Sequence, residues 1–225
     1  MISIRELHKK YGRNTVLRGI DLDFDGGRVY GIVGHNGAGK TTLFNCIAGL
    51  ETYDGEISSA YQPLKDYLGY LETNPQYLSH MTGWEYLKLV STARGIQEEE
   101  FEKRNIFQLP LNEYASTYST GMKKKLALIG VLLRRNEVFI LDEPFNGVDL
   151  RSNLLVVDVI NKLKAQGKLI LISSHIFMVL REVCDEIHLL EAGKFVMGGR
   201  TSTEIEAMET RLKSGLHQSG TLDWI

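Results

Sequence analysis

Gly34–His35–Asn36–Gly37–Ala38–Gly39–Lys40–Thr41–Thr42 follows the apolar run Arg28–Val33 and leads into Thr41–Ala48, which reads as a helix ending near Gly49. An apolar strand, a glycine-rich turn and a helix in that order form the pattern of a phosphate-binding loop. The glycines let consecutive backbone N–H groups turn inward around an anion, and the helix N-terminus adds its partial positive charge. Gly34, Asn36, Gly37, Gly39, Lys40, Thr41 and Thr42 are therefore the candidate nucleotide-binding residues. Lys40 would reach the β- and γ-phosphates, and the Thr41 hydroxyl would bind Mg²⁺. A glycine-rich turn with an incidental lysine is the plain alternative, and the strand before and helix after argue against it.

Two more strand ends carry polar groups. Val138–Leu141 is a buried-type strand that closes on Asp142 and Glu143, followed by Pro144. A strand adjacent to that of the phosphate loop would bring Asp142 to the Mg²⁺ shell and let Glu143 face the γ-phosphate as a general base. Leu171–Ile172–Ser173–Ser174–His175 is a second apolar strand with a polar end. His175 there stands where parallel sheets place their ligands and would sense the γ-phosphate. The other histidines, His80 and His188 among them, have no such setting.

Outside these segments, Ile2–Leu7 and Val16–Phe24 read as strands, and Glu56–Ser58 and Leu68–Leu71 as short ones. From Thr82 to about Asn112 the pattern is helical, with Trp84, Leu87 and Val90 near one-turn spacing. Ser119–Arg135 is the clearest helix, with Met122, Leu126, Ile129 and Leu133 on one face. Leu150–Lys164 (helix), Leu169–Ile172 (strand), Ile176–Cys184 (helix) and Ile187–Leu190 (strand) complete an alternation that predicts a parallel sheet covered by helices. The helical middle interrupts it as a second lobe, and Thr201–Ile225 is expected to form a short helix with a weakly ordered end. At 225 residues, 43% hydrophobic and 24% charged, the chain suits one body with a sizeable core. Its net charge of −2 gives no reason to expect nucleic acid or anionic lipid as a partner. Cys46 and Cys184 lie far apart and read as small buried groups in a reducing compartment, neither a disulfide nor a zinc site. The N-terminus lacks the layout of a signal peptide, and no apolar run reaches bilayer length.

Tyr118–Ser119–Thr120–Gly121–Met122–Lys123 stands at the start of the clearest helix. With the other motifs in this order it resembles the signature sequence of ABC ATPases, usually written LSGGQ. Ser119 and Gly121 match, while Tyr118, Thr120 and Met122 replace Leu, Gly and Gln. Met122 followed by basic residues looks like the branch that serves ABC-2 type exporters. Ser119 is also a favoured helix N-cap, and the two roles do not compete. The lysines that follow, Lys123, Lys124 and Lys125, oppose the helix dipole, and at least two of them are expected to form a solvated basic face. The resemblance covers Ile2 to Gly199 and implies an α/β fold: a P-loop NTPase core with a parallel sheet, a small antiparallel β lobe and an inserted helical subdomain. It divides the single domain into a core with β lobe (about 1–75 and 136–200), a helical subdomain (about 76–135) and a tail (about 201–225). Tyr11 matches the aromatic that stacks on adenine, and Asp149, in Phe145–Asn146–Gly147–Val148–Asp149, matches the loop that reads across a dimer.

One element departs from the family pattern. Where a glutamine usually senses Mg²⁺ and couples to the transmembrane subunit, this chain has Gly69–Tyr70–Leu71–Glu72–Thr73–Asn74–Pro75–Gln76. Direct alignment puts Thr73 at the glutamine, with Glu72 and Gln76 as alternatives, and Tyr77 and Leu78 just beyond are expected to face the membrane partner. The resemblance implies a Mg²⁺-dependent ATP hydrolase in which ATP held by Tyr11, Lys40, Thr41 and Asp142 is closed over by Ser119 and Gly121 of a second subunit. That subunit would be a second copy or a related ATPase. Separate permease subunits would hold the pair on the cytoplasmic face of the membrane. A soluble ATPase of the iron–sulfur assembly type is the alternative with the same chemistry. Chromosome-type relatives are disfavoured, because only about eighty residues separate the phosphate loop from the signature.

Overall fold

The computed structural model describes residues 1–175 and 177–217. Ile2–Tyr11 (β1) and Asn14–Phe24 (β2) form a hairpin, and Val29–Val33 (β3) runs through the glycine-rich turn into helix Lys40–Ile47 (α1). Asp54–Ser59 (β4) returns to pair with β1, giving a three-stranded antiparallel sheet in the order β2-β1-β4. Leu68–Leu71 (β5) precedes a helical stretch of Gly83–Thr92 (α2), Phe101–Arg104 (α3) and Thr120–Leu133 (α4). Val138–Asp142 (β6), Leu150–Ala165 (α5), Leu169–Ser173 (β7), Phe177–Val183 (α6), Glu186–Glu191 (β8), Lys194–Gly199 (β9) and Ser202–His217 (α7) follow. The second sheet has the order β5-β6-β7-β3-β8-β9, parallel throughout except for β9.

Every residue of β3, β6 and β7 is buried, as a parallel sheet covered on both faces requires. Side chains alternate between the faces. Phe139, Leu141, Ile170 and Ile172 pack with Val156 and Ile160 of α5 and with Ile205 and Met208 of α7. Val138, Ile140, Leu169 and Leu171 pack with Leu43 and Phe44 of α1 and with Ile2, Ile4 and Leu17 of the antiparallel sheet. A third cluster, with Leu87, Phe101, Leu111, Leu126, Ile129 and Leu133, is the core of the helical middle. Helix α4 serves two cores, since its Leu128 and Val131 join the first cluster while Leu126, Ile129 and Leu133 join the third.

Five expectations change. Strand β1 runs on to Tyr11, because a bulge at Glu6 (φ 46°) shifts the buried set from Ile2 and Ile4 to Leu7 and Lys9 and hides the alternation. The middle is less helical than its spacing suggests: the left-handed Gly95 (φ 66°) ends α2, and only the four residues of α3 are helical before Pro110. The strand of Asp142 is not adjacent to that of the phosphate loop, because β7 lies between them. Strand β9, unread in the sequence, closes the sheet edge by pairing with β8. The tail forms a 16-residue helix. Thr201 and Glu204 cap its start reciprocally, and Ile205 and Met208 bury its inner face. The expected helical Ile176 and the end of the tail lie outside the described residues.

Phe101 is fully buried and is the one core residue that α3 supplies. Phe101→Ala should lower unfolding stability by about 3–5 kcal/mol, the usual cost of emptying an aromatic core site, read from the urea midpoint. A loss within about 0.5 kcal/mol, the scale of a surface change, would remove Phe101 from the lobe's core.

Candidate active site

Only glycine fits at Gly34, where a Cβ would stand 2.3 Å from the Leu190 carbonyl oxygen. At Gly39 (φ 109°) the chain adopts a conformation open to few other residues, just before α1 begins at Lys40. The loop folds around the Lys40 ammonium, which donates to the Gly34 oxygen at 2.7 Å and to the His35 oxygen at 3.3 Å. Lys40 is 8% exposed. Burial pulls its pKa below the ordinary lysine value, while the nearby Glu143 and Asp142 act the other way. A buried cation bonded to carbonyl oxygens, in a loop with open space at Gly37, fits a polyphosphate.

Asp142, at the end of β6, has no exposed surface. Its Oδ2 accepts from the Thr41 and Thr73 hydroxyls, each at 2.7 Å, and its Oδ1 accepts from the Ser173 hydroxyl. Thr41 lies in the first turn of α1, Thr73 follows β5 and Ser173 ends β7, so three segments meet at one carboxylate. The intervening strand that separates β6 from β3 thus contributes a link instead of an obstacle. A carboxylate with two hydroxyls is a hard oxygen set, suited to Mg²⁺ completed by phosphate and water oxygens. Among the described residues no cluster of three or more His, Cys, Asp or Glu forms a metal cage. Of the three coupling-loop alternatives, the structure brings Thr73 to Asp142. Glu72 is exposed, and Gln76 donates to the neighbouring Asn74 oxygen at 3.3 Å.

Glu143 has a φ of 52°, a left-handed conformation uncommon outside glycine and found at functional turns. Its N–H donates to the Ser173 hydroxyl at 2.9 Å, and its Oε2 lies 2.8 Å from His175 Nδ1. Two clefts meet here. One, of about 390 Å³, is lined by Asn14, Val16, Asn36, Gly37 and Gly39 through Thr42, with Thr73, Asp142 and Glu143. The other, of about 680 Å³, runs from Gly34, His35 and Asn36 past Glu143 and His175 to Phe177, Glu209 and Leu212. Asn36, Thr73 and Glu143 line both.

The sequence candidates thus divide. Gly34, Asn36, Gly37, Gly39, Lys40, Thr41, Thr42, Thr73, Asp142, Glu143 and His175 line the clefts. Tyr11 stands at the margin: its side chain lies near Thr42 and Glu51, the residue is 43% exposed, and the Lys9 ammonium lies 4.8 Å from the ring centre. Ser119, Gly121 and Asp149 line neither cleft. Ser119 caps α4 by accepting from Met122 N–H at 3.3 Å, and a Cβ at Gly121 would meet the Gly147 oxygen at 2.4 Å. Asp149 caps α5 through Ser152 and pairs with Lys125 at 2.5 Å, and these partners hold its carboxyl well below the usual range.

Two expectations fail at this edge. The run Lys123–Lys125 is not a solvated face: Lys124 is 2% exposed and Lys125 is committed to Asp149. Tyr77 is not a surface anchor, because its hydroxyl donates to the Lys123 oxygen at 2.6 Å and its ring packs on Tyr86. Leu78 is 66% exposed, as an anchor requires. Sequence reasoning missed Ser173 as the bridge between Asp142 and Glu143. Its only signal is its place as the last strand residue before Ser174 and His175.

Residues 17–146 match the family described as ABC transporter. The chain is 32% identical to the uncharacterized ABC transporter ATP-binding protein YthP of Bacillus subtilis (strain 168), over 94% of this chain and 89% of that one. It is 28% identical to the lantibiotic transport ATP-binding protein SrtF of Streptococcus pyogenes, over 88% of this chain and 90% of that one. A solved ATP-binding subunit of an ABC transporter superposes with a TM-score of 0.84 at 26% identity, over 95% of this chain and 99% of that one. A family match across more than half of the chain, with a relative of this identity aligned along nearly all of it, makes the protein a member of the ABC transporter family, among its ATP-binding proteins.

Proposed function

We propose that the protein hydrolyses ATP with Mg²⁺ and drives a transporter through a nucleotide-dependent dimer. The carrying observation is the convergence of Lys40, Asp142, Glu143 and His175 on two joined clefts. The triphosphate would lie along the loop, its charge met by Lys40 and the N-terminus of α1, with the adenine against Tyr11. Thr41, Asp142 and Thr73 would hold Mg²⁺, which supplies charge neutralisation at the β- and γ-phosphates when bound. Glu143 is the base, accepting a proton from the attacking water. Its contact with His175 at 2.8 Å orients the carboxylate and must yield to admit that water. His175 then reports whether the γ-phosphate is present.

Ser119 and Gly121 lie outside their own chain's clefts, so they are assigned to the nucleotide of a second copy or of a related ATPase. Asp149 would work at that same boundary. Permease subunits, docking near Leu78 and the helical subdomain of residues 76–135, would place the protein at the cytoplasmic face of the membrane. Among the described residues no helix is long and apolar enough to cross it. The core of about 1–75 and 136–200 would hold the nucleotide, and 201–225 would be its tail. The signature ending in Met122 and basic residues, together with a relative named for lantibiotic transport, supports an exporter.

Glu143→Gln should lower turnover about 10²-fold or more while ATP still binds, the scale of a lost general base. Lys40→Ala should instead weaken ATP binding itself in an equilibrium titration. Normal turnover in the first variant removes Glu143 from the base role, and unchanged affinity in the second removes Lys40 from the phosphate site. The Glu143→Gln protein should also shift towards a dimer on sizing with ATP and Mg²⁺ and not with ADP, since a ligand touching both chains stabilises their association. Dimerisation indifferent to nucleotide would place the interface elsewhere.

A further inference from the structure

The strain at Glu143 has a specific restraint on its C-terminal side. Its N–H is held by β7, through the Ser173 hydroxyl at 2.9 Å and the Ser173 carbonyl at 3.2 Å. Its carbonyl oxygen accepts from Asn146 N–H at 3.2 Å, closing a tight turn over residues 143–146. The same oxygen accepts from Lys124 Nζ at 2.7 Å, and Lys124 also donates to the Asn146 oxygen at 3.0 Å. The ammonium therefore bonds to both ends of the turn that carries the base.

Burial works against the charge on Lys124, while the nearby Glu143 and Asp142 carboxylates favour it. Lys124 is the fifth residue of α4, close to the helix N-terminus, where positive charge is not favoured by the helix dipole, and it is buried. Its ammonium donates to those two main-chain oxygens, with no carboxylate at ion-pair distance among the described residues. A lysine kept only for packing or solubility would place its charge in water.

We propose that Lys124 is a positioning residue for Glu143, fixing the 143–146 turn from near the N-terminus of α4 so that the carboxylate is aimed into the clefts. The proposal rests on the reading of Glu143 as general base. It also gives the helix that begins at Ser119 a grip on the chemistry of its own chain. Any rotation of α4 moves the Lys124 ammonium against the Glu143 carbonyl, while Lys125 on Asp149 holds the far end of the same loop.

Lys124→Met keeps the stem and removes the donors, and Lys124→Gln keeps a shorter neutral donor. Turnover, KM for ATP and melting temperature are measured for both, alone and combined with Glu143→Gln. Turnover per folded molecule should fall tenfold or more in the Met variant and at least threefold in the Gln variant, with KM within threefold of normal. Neither change should lower turnover further once Glu143 is already Gln, because Lys124 acts through it. Turnover within twofold of normal in either folded variant overturns the proposal. So does a loss that multiplies with that of Glu143→Gln, or one matched by an equal rise in KM. Each variant decides by itself if the other does not fold. Glu143→Gln alone separates the two readings: normal turnover there rejects the base, whereas a loss there without one in the Lys124 variants rejects only the positioning role.

Discussion

The Asp142 carboxylate, out of solvent at the end of β6, is satisfied by the hydroxyls of Thr41, Thr73 and Ser173. Burying a carboxylate without such partners costs several kcal/mol, on the order of the whole margin of a domain. The group can therefore exist there only if α1, the segment after β5 and the end of β7 all arrive in register. Those segments bring the phosphate loop, the coupling-loop candidate and the residue that holds Glu143. Site assembly and fold are in this sense one condition. In the proposed reaction two of these donors, Thr41 and Thr73, would also hold Mg²⁺ beside Asp142.

Around this point the protein places charges where elementary electrostatics disfavours them. Lys40 and Lys124 are buried, and Lys124 and Lys125 stand near the N-terminus of α4. Each is matched to oxygen acceptors: loop carbonyls for Lys40, turn carbonyls for Lys124 and the Asp149 carboxylate for Lys125. A helix that packs into two cores is difficult to move without disturbing both. These polar ties at its start make the loop from Glu143 to Asp149 follow it. The N-terminus of α4, whose Ser119 and Gly121 line neither cleft, is thus tied through Lys124 to the turn that carries Glu143.

The motifs were legible because each depends on a short stretch of chain. A glycine-rich turn after a strand, an acidic pair at a strand end and a serine at a helix start are local patterns with local physics. From them came cleft-lining residues of the glycine-rich loop together with Asp142, Glu143 and His175. What misled was any feature whose surroundings come from elsewhere in the chain. The second half of β1 was hidden because one bulge at Glu6 inverts which side chains are buried. The lysine run read as a solvated face because its acceptors lie about twenty residues downstream. Tyr77 read as exposed because its hydroxyl finds a carbonyl in α4.

The sequence by itself determined the alternation of strands and helices, the phosphate loop and the identity of the strand-end carboxylates, since backbone propensity and residue spacing act over a few residues. Only the tertiary structure decided that β7 lies between the strands of Asp142 and the loop, and that Ser173 bridges that gap. It also decided that Thr73, and neither Glu72 nor Gln76, meets the carboxylate, and that Lys124 turns inward. Each of these depends on strand order and on which carbonyls or hydroxyls are left to satisfy a buried charge. Those are set by packing between segments distant in sequence, where no local pattern records them.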